Sequence, residues 1–564
     1  MNKKIQLLLF IAIFFIVTQD VFAEKNSIKL LAINEATKEG TIVDLELEIQ
    51  QGSGKVFIET YPLSQIDTQI SLRIAKIIAC KISERYCLDK DFVYSIKSTS
   101  PVVAGPSAGA AMTLLTIAAL ENKKLDPNTV ITGTINSGGV VGIVGSVKEK
   151  IKAAANASLH IVLIPLGEEN ATELLAYGDS LKVTVIEVSD IEEAYELFTS
   201  EKILRPELII DESYREIMKN LNKEICERTN TIKNELESYE IPKKYVNSKE
   251  LGSNLSQQAK ELFENGLYYS SASKCFGANV YLREALFGAK NLSKEEITEE
   301  KEKIESKLLK LEQQLNVTAI TNLGNLETEM IIQERIFDAR KNLEKINATD
   351  SMRELSYALE RTYSAGAWRQ FITFPGKPID ETNLQESCIL KIEEVGELYN
   401  YVSIYMPALL QETKKELDKA KEHLTRGEYV LCLFKASKSE AEINAALSAL
   451  YTEEGAIDSL VQKKIQAAAK AIQKQIQKSA FPILGYSYYE YAGVLNESDK
   501  YTSLLYAEYG IELSNLDIYF PQKKPRTFPT SSIVALIVII VFGFILILFQ
   551  KTHKKTRIVL RRKH

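Results

Sequence analysis

Histidine is scarce in this chain: 564 residues contain four. His160 lies in an apolar strand pattern and His423 on a remote helical one, positions where a lone histidine is usually structural. That leaves no base for a Ser-His-Asp triad. With no His-Glu-x-x-His there is no ligand set for metal hydrolysis either, so neither metal nor cofactor is expected. Excess positive charge is also lacking. A net charge of −6 gives no broad electrostatic reason to bind nucleic acid. A phosphate-cradling loop is missing too: Gly52-Ser53-Gly54-Lys55 lacks the first glycine and the closing hydroxyl of Gly-x4-Gly-Lys-Ser/Thr, so no nucleotide is expected. The cysteines (Cys80, Cys87, Cys226, Cys275, Cys388 and Cys432) follow no zinc or redox spacing. Cys80 and Cys87 can pair if a helix ends between them; two buried thiols are the alternative.

Two long uncharged runs suggest an address. Residues 1–23 carry Lys3 and Lys4, an apolar run and Val21-Phe22-Ala23, the form of a secretory signal peptide, with an uncleaved anchor as the alternative. Residues 531–550 are just long enough to span a bilayer, and the tail 551–564 is basic. By the positive-inside rule that tail is cytoplasmic. The expectation is a single-pass, type I protein of the cell membrane, held there by its C-terminal helix, with its ectodomain outside the cytoplasm. Sequons at Asn156, Asn170, Asn254, Asn291, Asn316, Asn347 and Asn496 suit such a chain.

Between these runs the pattern changes once. Over 24–204 strands alternate with helices, which predicts an α/β (α+β) domain. Thr41–Gln50 and Lys55–Thr60, joined by Gln51-Gly52-Ser53-Gly54, read as a hairpin. Residues 205–516 read as almost wholly helical. Ala259–Tyr268 is echoed by Ala420–Tyr429, each a helix, a glycine turn and an aromatic, resembling tetratricopeptide-like hairpins. Ile304, Leu308, Leu311 and Leu315 step like a coiled coil and predict a long exposed hairpin. Residues 517–530, with Pro521, Pro525 and Pro529, read as a stiff stalk.

The chemistry concentrates between Gly105 and Ala157. Gly105-Pro106-Ser107-Ala108 presents a serine at the first turn of an apolar helix. A serine hydroxyl is a weak nucleophile until a base takes its proton, and with histidine excluded a lysine remains. Lys148 and Lys152 share a face with Asn156 and should be solvated. Lys150 shares the small apolar stripe of Val147, Ala153, Ala154 and Ala157. Burial there disfavours the ammonium and lowers its pKa, as a base near neutrality requires, although a buried-stem lysine with its tip in water would read the same way.

Gly105-Pro106-Ser107-Ala108-Gly109, followed by Gly145 and then Lys150-Ile151 with Ala153-Ala154, resembles the proteolytic domain of Lon proteases, the S16 peptidase type. Gly52 to Val56 with Thr60, Gln69-Ile70-Ser71 with Ala75, Ile131-Thr132-Gly133 and Leu163-Ile164-Pro165 agree. The resemblance covers roughly 40–200 and implies Ser107 as nucleophile, Lys150 as general base and Thr132 as the hydroxyl that orients the amine. Backbone groups at the turn, from Gly105, Pro106, Ser107 and Ala108, would form the oxyanion site. Where the family usually has an acidic residue shortly before the serine, this chain has Ala104. The whole is similar to predicted archaeal secreted or membrane-anchored Lon-like serine proteases that lack the AAA+ motor. It implies an ATP-independent endopeptidase acting on unfolded or exposed protein segments. Lon-type domains commonly form hexameric rings, and a homo-oligomer is left open here. The competing reading is an inactive Lon-like domain, serving as a binding or assembly scaffold through the helical region.

Overall fold

The computed structural model describes residues 26–520, apart from 35–36, 62–65, 88, 98–105, 169, 203–207, 316–318, 347–350, 406–407 and 451–456. Its first part is a seven-stranded sheet in the order β3-β4-β2-β1-β5-β8-β9. These strands are β1 (Asn26–Ile33), β2 (Gly40–Gln51), β3 (Val56–Tyr61), β4 (Lys90–Lys97), β5 (Thr129–Ile131), β8 (Ile161–Pro165) and β9 (Thr184–Val188). Successive side chains of a strand point to opposite faces. Leu30 accordingly joins one core with Leu45, Phe92 and Tyr94, whereas Leu31 joins another with Val130 and Val162. Helices α1 (Ile66–Ile82), α2 (Gly109–Glu121) and α5 (Ile191–Thr199) cover the first face; α3 (Val147–Asn156) and α4 (Ala171–Ser180) cover the second.

Helix α2 is buried from Gly109 to Ala118. Small residues let it lie close to the sheet, and the hydroxyls of Thr113 and Thr116 donate to the carbonyls of Gly109 and Met112 at 2.8 and 2.7 Å, which satisfies them without water. Helix α3 lies equally close to β2. A Cβ at Gly40 would stand 2.2 Å from the Glu149 carbonyl oxygen, so only glycine admits that helix.

The expected hairpin between β2 and β3 does not form. Strand β4 lies between them, antiparallel to β2 and parallel to β3. The cause is Asp91 at the start of β4, whose Oδ1 accepts from the N–H groups of Ser53 and Lys55 at 2.8 and 2.9 Å. The glycine-rich loop therefore closes on a carboxylate from β4 and not on its own partner strand.

Between Glu212 and Ser514 the described residues are mostly helical. The hairpin Lys243–Glu264 with Tyr268–Lys290 and the hairpin Gln411–Thr425 with Tyr429–Leu450 share one turn. Gly266 and Gly427 both have φ +77°, and the residue after each donates to the carbonyl five back, Leu262 and His423, at 2.9 Å. Gly427→Ala and Gly266→Ala should each destabilise the fold by about 1–2 kcal/mol, the cost of a side chain in left-handed backbone, read as a lowered urea midpoint. The stripe Ile304, Leu308, Leu311 and Leu315 is helical as expected but buried in the main helical core, so the exposed coiled-coil hairpin is corrected to a core-packed helix. The chain stays packed through Asp517 and Phe520, four residues into the expected stalk.

The cysteines form three disulfides, Cys80–Cys87, Cys226–Cys275 and Cys388–Cys432. The first follows from α1 ending at Ile82. The helical part joins the sheet part through ion pairs: Lys81 with Glu440 (2.6 Å), Lys478 with Glu84 (2.8 Å), and Lys470 with Asp190. The described residues up to Phe520 make one compact unit.

The fold class needs one correction. An α/β part followed by a helical part is present, but among the described residues no helix is long and apolar enough to cross a membrane. Spanning takes about 20 apolar residues; α2, buried from Gly109 to Ala118, has 13. The stretch 531–550 lies outside the described residues, as do 1–23, 521–530 and 551–564. The single-pass membrane placement is therefore not supported by the described residues.

Candidate functional site

Ser107 is the middle residue of a 3-10 turn, Pro106–Ala108, that leads directly into α2. It is half-buried. Its carbonyl accepts from the Gly133 N–H at 2.8 Å and from the Thr132 hydroxyl at 3.4 Å, while the Ala110 N–H donates to the Gly133 carbonyl at 3.1 Å. Gly133 thus clamps the turn on both sides. This explains why the strand that begins at Thr129 is short. β5 ends at Ile131, and Thr132 and Gly133 leave the sheet to hold the serine turn. The chain then resumes as β6 (Thr134–Ile135), paired with β7 (Val141–Gly142).

Thr132 is fully buried, and its N–H donates to the Leu163 carbonyl of β8 at 3.0 Å. The N-terminus of α2 has no acidic residue in its first turn and no side-chain cap. Its orphan N–H groups and positive dipole end therefore favour a negative charge. Among the turn residues proposed for that role, Pro106 has no N–H to offer, Gly105 lies outside the described residues, and Ser107 and Ala108 remain.

Lys150 is 2% exposed on α3, whereas Lys148 and Lys152 on the same helix are exposed. Lys148 pairs with Glu173 at 3.5 Å and lies over the Tyr177 ring at 5.0 Å. Helix α3 packs on β1, β2 and β8, the last being the strand that Thr132 bonds. Burial pushes the Lys150 amine down to about 8, and the charges of Glu168 and Glu149 oppose that shift in part.

Glu168 escaped the sequence reading. It is 8% exposed, and its Oε1 accepts from the Val144 N–H at 2.8 Å, just ahead of the helix that carries Lys150. Burial raises its own pKa, while the Val144 bond and the Lys150 charge lower it. From the loop after β8, Glu168 thus sets a carboxylate within electrostatic reach of Lys150. Its signal was weak: nothing but position separates Glu168 from Glu169. His160 is exposed, and the buried His423 has its Nδ1 2.6 Å from Glu428 Oε2 in the helical part.

Residues 25–200 match the family described as the Lon protease (S16) C-terminal proteolytic domain. The chain is 30% identical over 131 residues to the Lon protease of Phenylobacterium zucineum (strain HLK1), covering 22% of this chain and 16% of that protein. It is 31% identical over 139 residues to the Lon protease of Lachnoclostridium phytofermentans, covering 24% and 17%. It is 30% identical over 156 residues to the archaeal Lon protease of Archaeoglobus fulgidus, covering 28% and 24%. The chain therefore spans less than a quarter of the length of each of these relatives.

Proposed function

We propose, on the premise that residues 25–200 are a Lon-type proteolytic domain and so a serine peptidase domain, that Ser107 and Lys150 hydrolyse peptide bonds as a dyad. The neutral Lys150 amine takes the proton of Ser107 Oγ as that oxygen attacks the scissile carbonyl. The Thr132 hydroxyl orients the amine. The N–H groups of Ser107 and Ala108, at the positive end of α2, stabilise the oxyanion. The ammonium then returns its proton to the leaving amine, and water, deprotonated by the same lysine, releases the acyl group from Ser107. Substrates are unfolded or exposed protein segments, and the cleavage is independent of ATP. The Gly52–Lys55 loop supports that independence, because the N–H groups of Ser53 and Lys55 are already engaged by Asp91.

One observation carries the reading. A lysine 2% exposed, with its amine brought down to about 8, lies on a helix whose other lysines, Lys148 and Lys152, are solvated. The purified chain should degrade an unfolded casein without nucleotide, and Ser107→Ala should remove that activity. Cleavage that persists in Ser107→Ala would end the proposal and leave the scaffold reading.

The pH dependence follows from the same amine. Only the neutral form is a base, so kcat/KM should climb with pH through about 8 and level off above it. The Glu168 charge holds the proton on Lys150, so Glu168→Gln should move that rise to lower pH. A rise left in place by Glu168→Gln would remove Glu168 from the site.

A further inference from the structure

A second constellation lies wholly within the helical part. A cavity of about 250 Å³ is lined by three cations, Arg335, Arg361 and Lys438, by a single carboxylate, Glu334, and by an aromatic wall that includes Trp368 and Tyr488. Glu334 is fully engaged: Oε2 accepts from Arg361 at 2.9 Å, and Oε1 faces Lys438 at 3.7 Å. Behind the wall, Asp338 also accepts from Arg361, at 2.8 Å, and Glu442 accepts from the Tyr509 hydroxyl at 3.1 Å. Arg335 is left over. It is 7% exposed, and its guanidinium has a hydroxyl and a carbonyl for partners, Ser364 Oγ at 2.8 Å from Nε and Ile331 O at 3.4 Å from Nη1.

A buried cation is normally paired with a carboxylate. The face of Trp368, 5.0 Å from Arg335, compensates the charge only in part. Burial, and after it the neighbouring Arg361, act against the charged form of Arg335 and prevail over the charge of Glu334, which has no ion-pair contact with it and opposes them only in part. Arg361 Nε is buried without a partner. The space is several times the roughly 30 Å³ share of one water, and its walls mix cationic donors with aromatic faces, the make-up of a small-molecule pocket.

We propose that this cavity binds a small monocarboxylate with an aromatic body, its carboxylate paired with Arg335 and its body against Trp368 and Tyr488. One unpaired guanidinium calls for one negative charge, and the planar fork of donors fits a carboxylate. The proposal is independent of the proteolytic site.

Trp368 is the only tryptophan of the chain, so its emission reports on this cavity alone. Benzoate titrated into the full chain should change Trp368 emission saturably, beyond the linear quenching of a free indole. Acetate, which lacks the body, should bind about tenfold more weakly or worse. Inorganic phosphate at equal ionic strength should give no saturable change. Arg335→Met should weaken benzoate by about thirtyfold or more, while Ser107→Ala should leave it unaltered. If Arg335→Met does not fold, Arg335→Lys, which keeps the charge but loses the planar fork of donors, should still weaken binding several-fold. No saturable change with benzoate, saturation by phosphate in its place, or unchanged affinity in the folded variant would each overturn the proposal.

Discussion

Lys150→Met should abolish cleavage and, at the same time, make the fold more stable. General-base catalysis is worth about 10²–10⁴-fold, and that much of kcat should go. Stability should move the opposite way. Bringing the amine from 10.5 down to about 8 corresponds to about 3 kcal/mol at neutral pH, since each pKa unit is roughly 1.4 kcal/mol. The sign follows from proton binding. Between about 8 and 10.5 the unfolded chain holds the proton and the folded one does not, so stability rises with pH across that window. Below it, the folded state carries the whole penalty. Methionine has a similar length and no charge, so urea unfolding at neutral pH should show the variant ahead by up to about 3 kcal/mol, with the gain fading above pH 10. Lys148→Met, on the solvated face, should leave activity within about twofold. Equal loss of activity in both variants would mean that the buried amine is not the base.

Lys391→Met should have the largest effect on stability, in the destabilising direction. Lys391 is fully buried, where its ammonium meets the carboxylates of Glu440 and Glu512 and the Tyr519 hydroxyl at 3.0 Å. Lys81, arriving from α1, bridges the same two carboxylates at 2.6 and 2.9 Å and faces Glu394 at 3.3 Å. Three carboxylates thus share two ammoniums in a largely buried seam. Removing one ammonium adds to the surplus of negative charge there, and breaking such a pair costs about 3–5 kcal/mol. Glu440 is the carboxylate whose pKa burial already raises. The variant should therefore recover stability as the pH falls and Glu440 takes up a proton, and Lys391→Met with Glu440→Gln should restore part of the loss at neutral pH. Urea unfolding of the single and double variants checks both statements. A single variant as stable as the parent would show that the cluster is solvated.

How much of this was legible depended on whether the cause was local. The stripe that buries Lys150 and exposes Lys148 follows from the 3.6-residue period alone, and the serine turn ahead of an apolar helix needed only neighbouring residues. The β2–β3 hairpin failed because the partner of its loop is Asp91, 38 residues beyond Ser53. Glu168, the cluster around Lys391 and the unpaired Arg335 share one reason for being missed. A charged residue in a polar stretch reads as solvated until the fold brings other elements over it. The pairing of Cys226 with Cys275 and of Cys388 with Cys432 is likewise a property of packed helices, invisible in spacing. The exposed coiled coil failed in the opposite direction: an apolar stripe on a charged helix fits a core as well as it fits a partner helix.

The account rests on a serine activated by one buried amine, and covalent labelling reads that directly. A fluorophosphonate incubated with the full chain should form a single adduct, located on Ser107 by mass spectrometry. Its rate should rise with pH through about 8 and fall about 10²–10⁴-fold in Lys150→Met. An adduct on another residue, or labelling of Ser107 at the same pH-independent rate in both proteins, would contradict it.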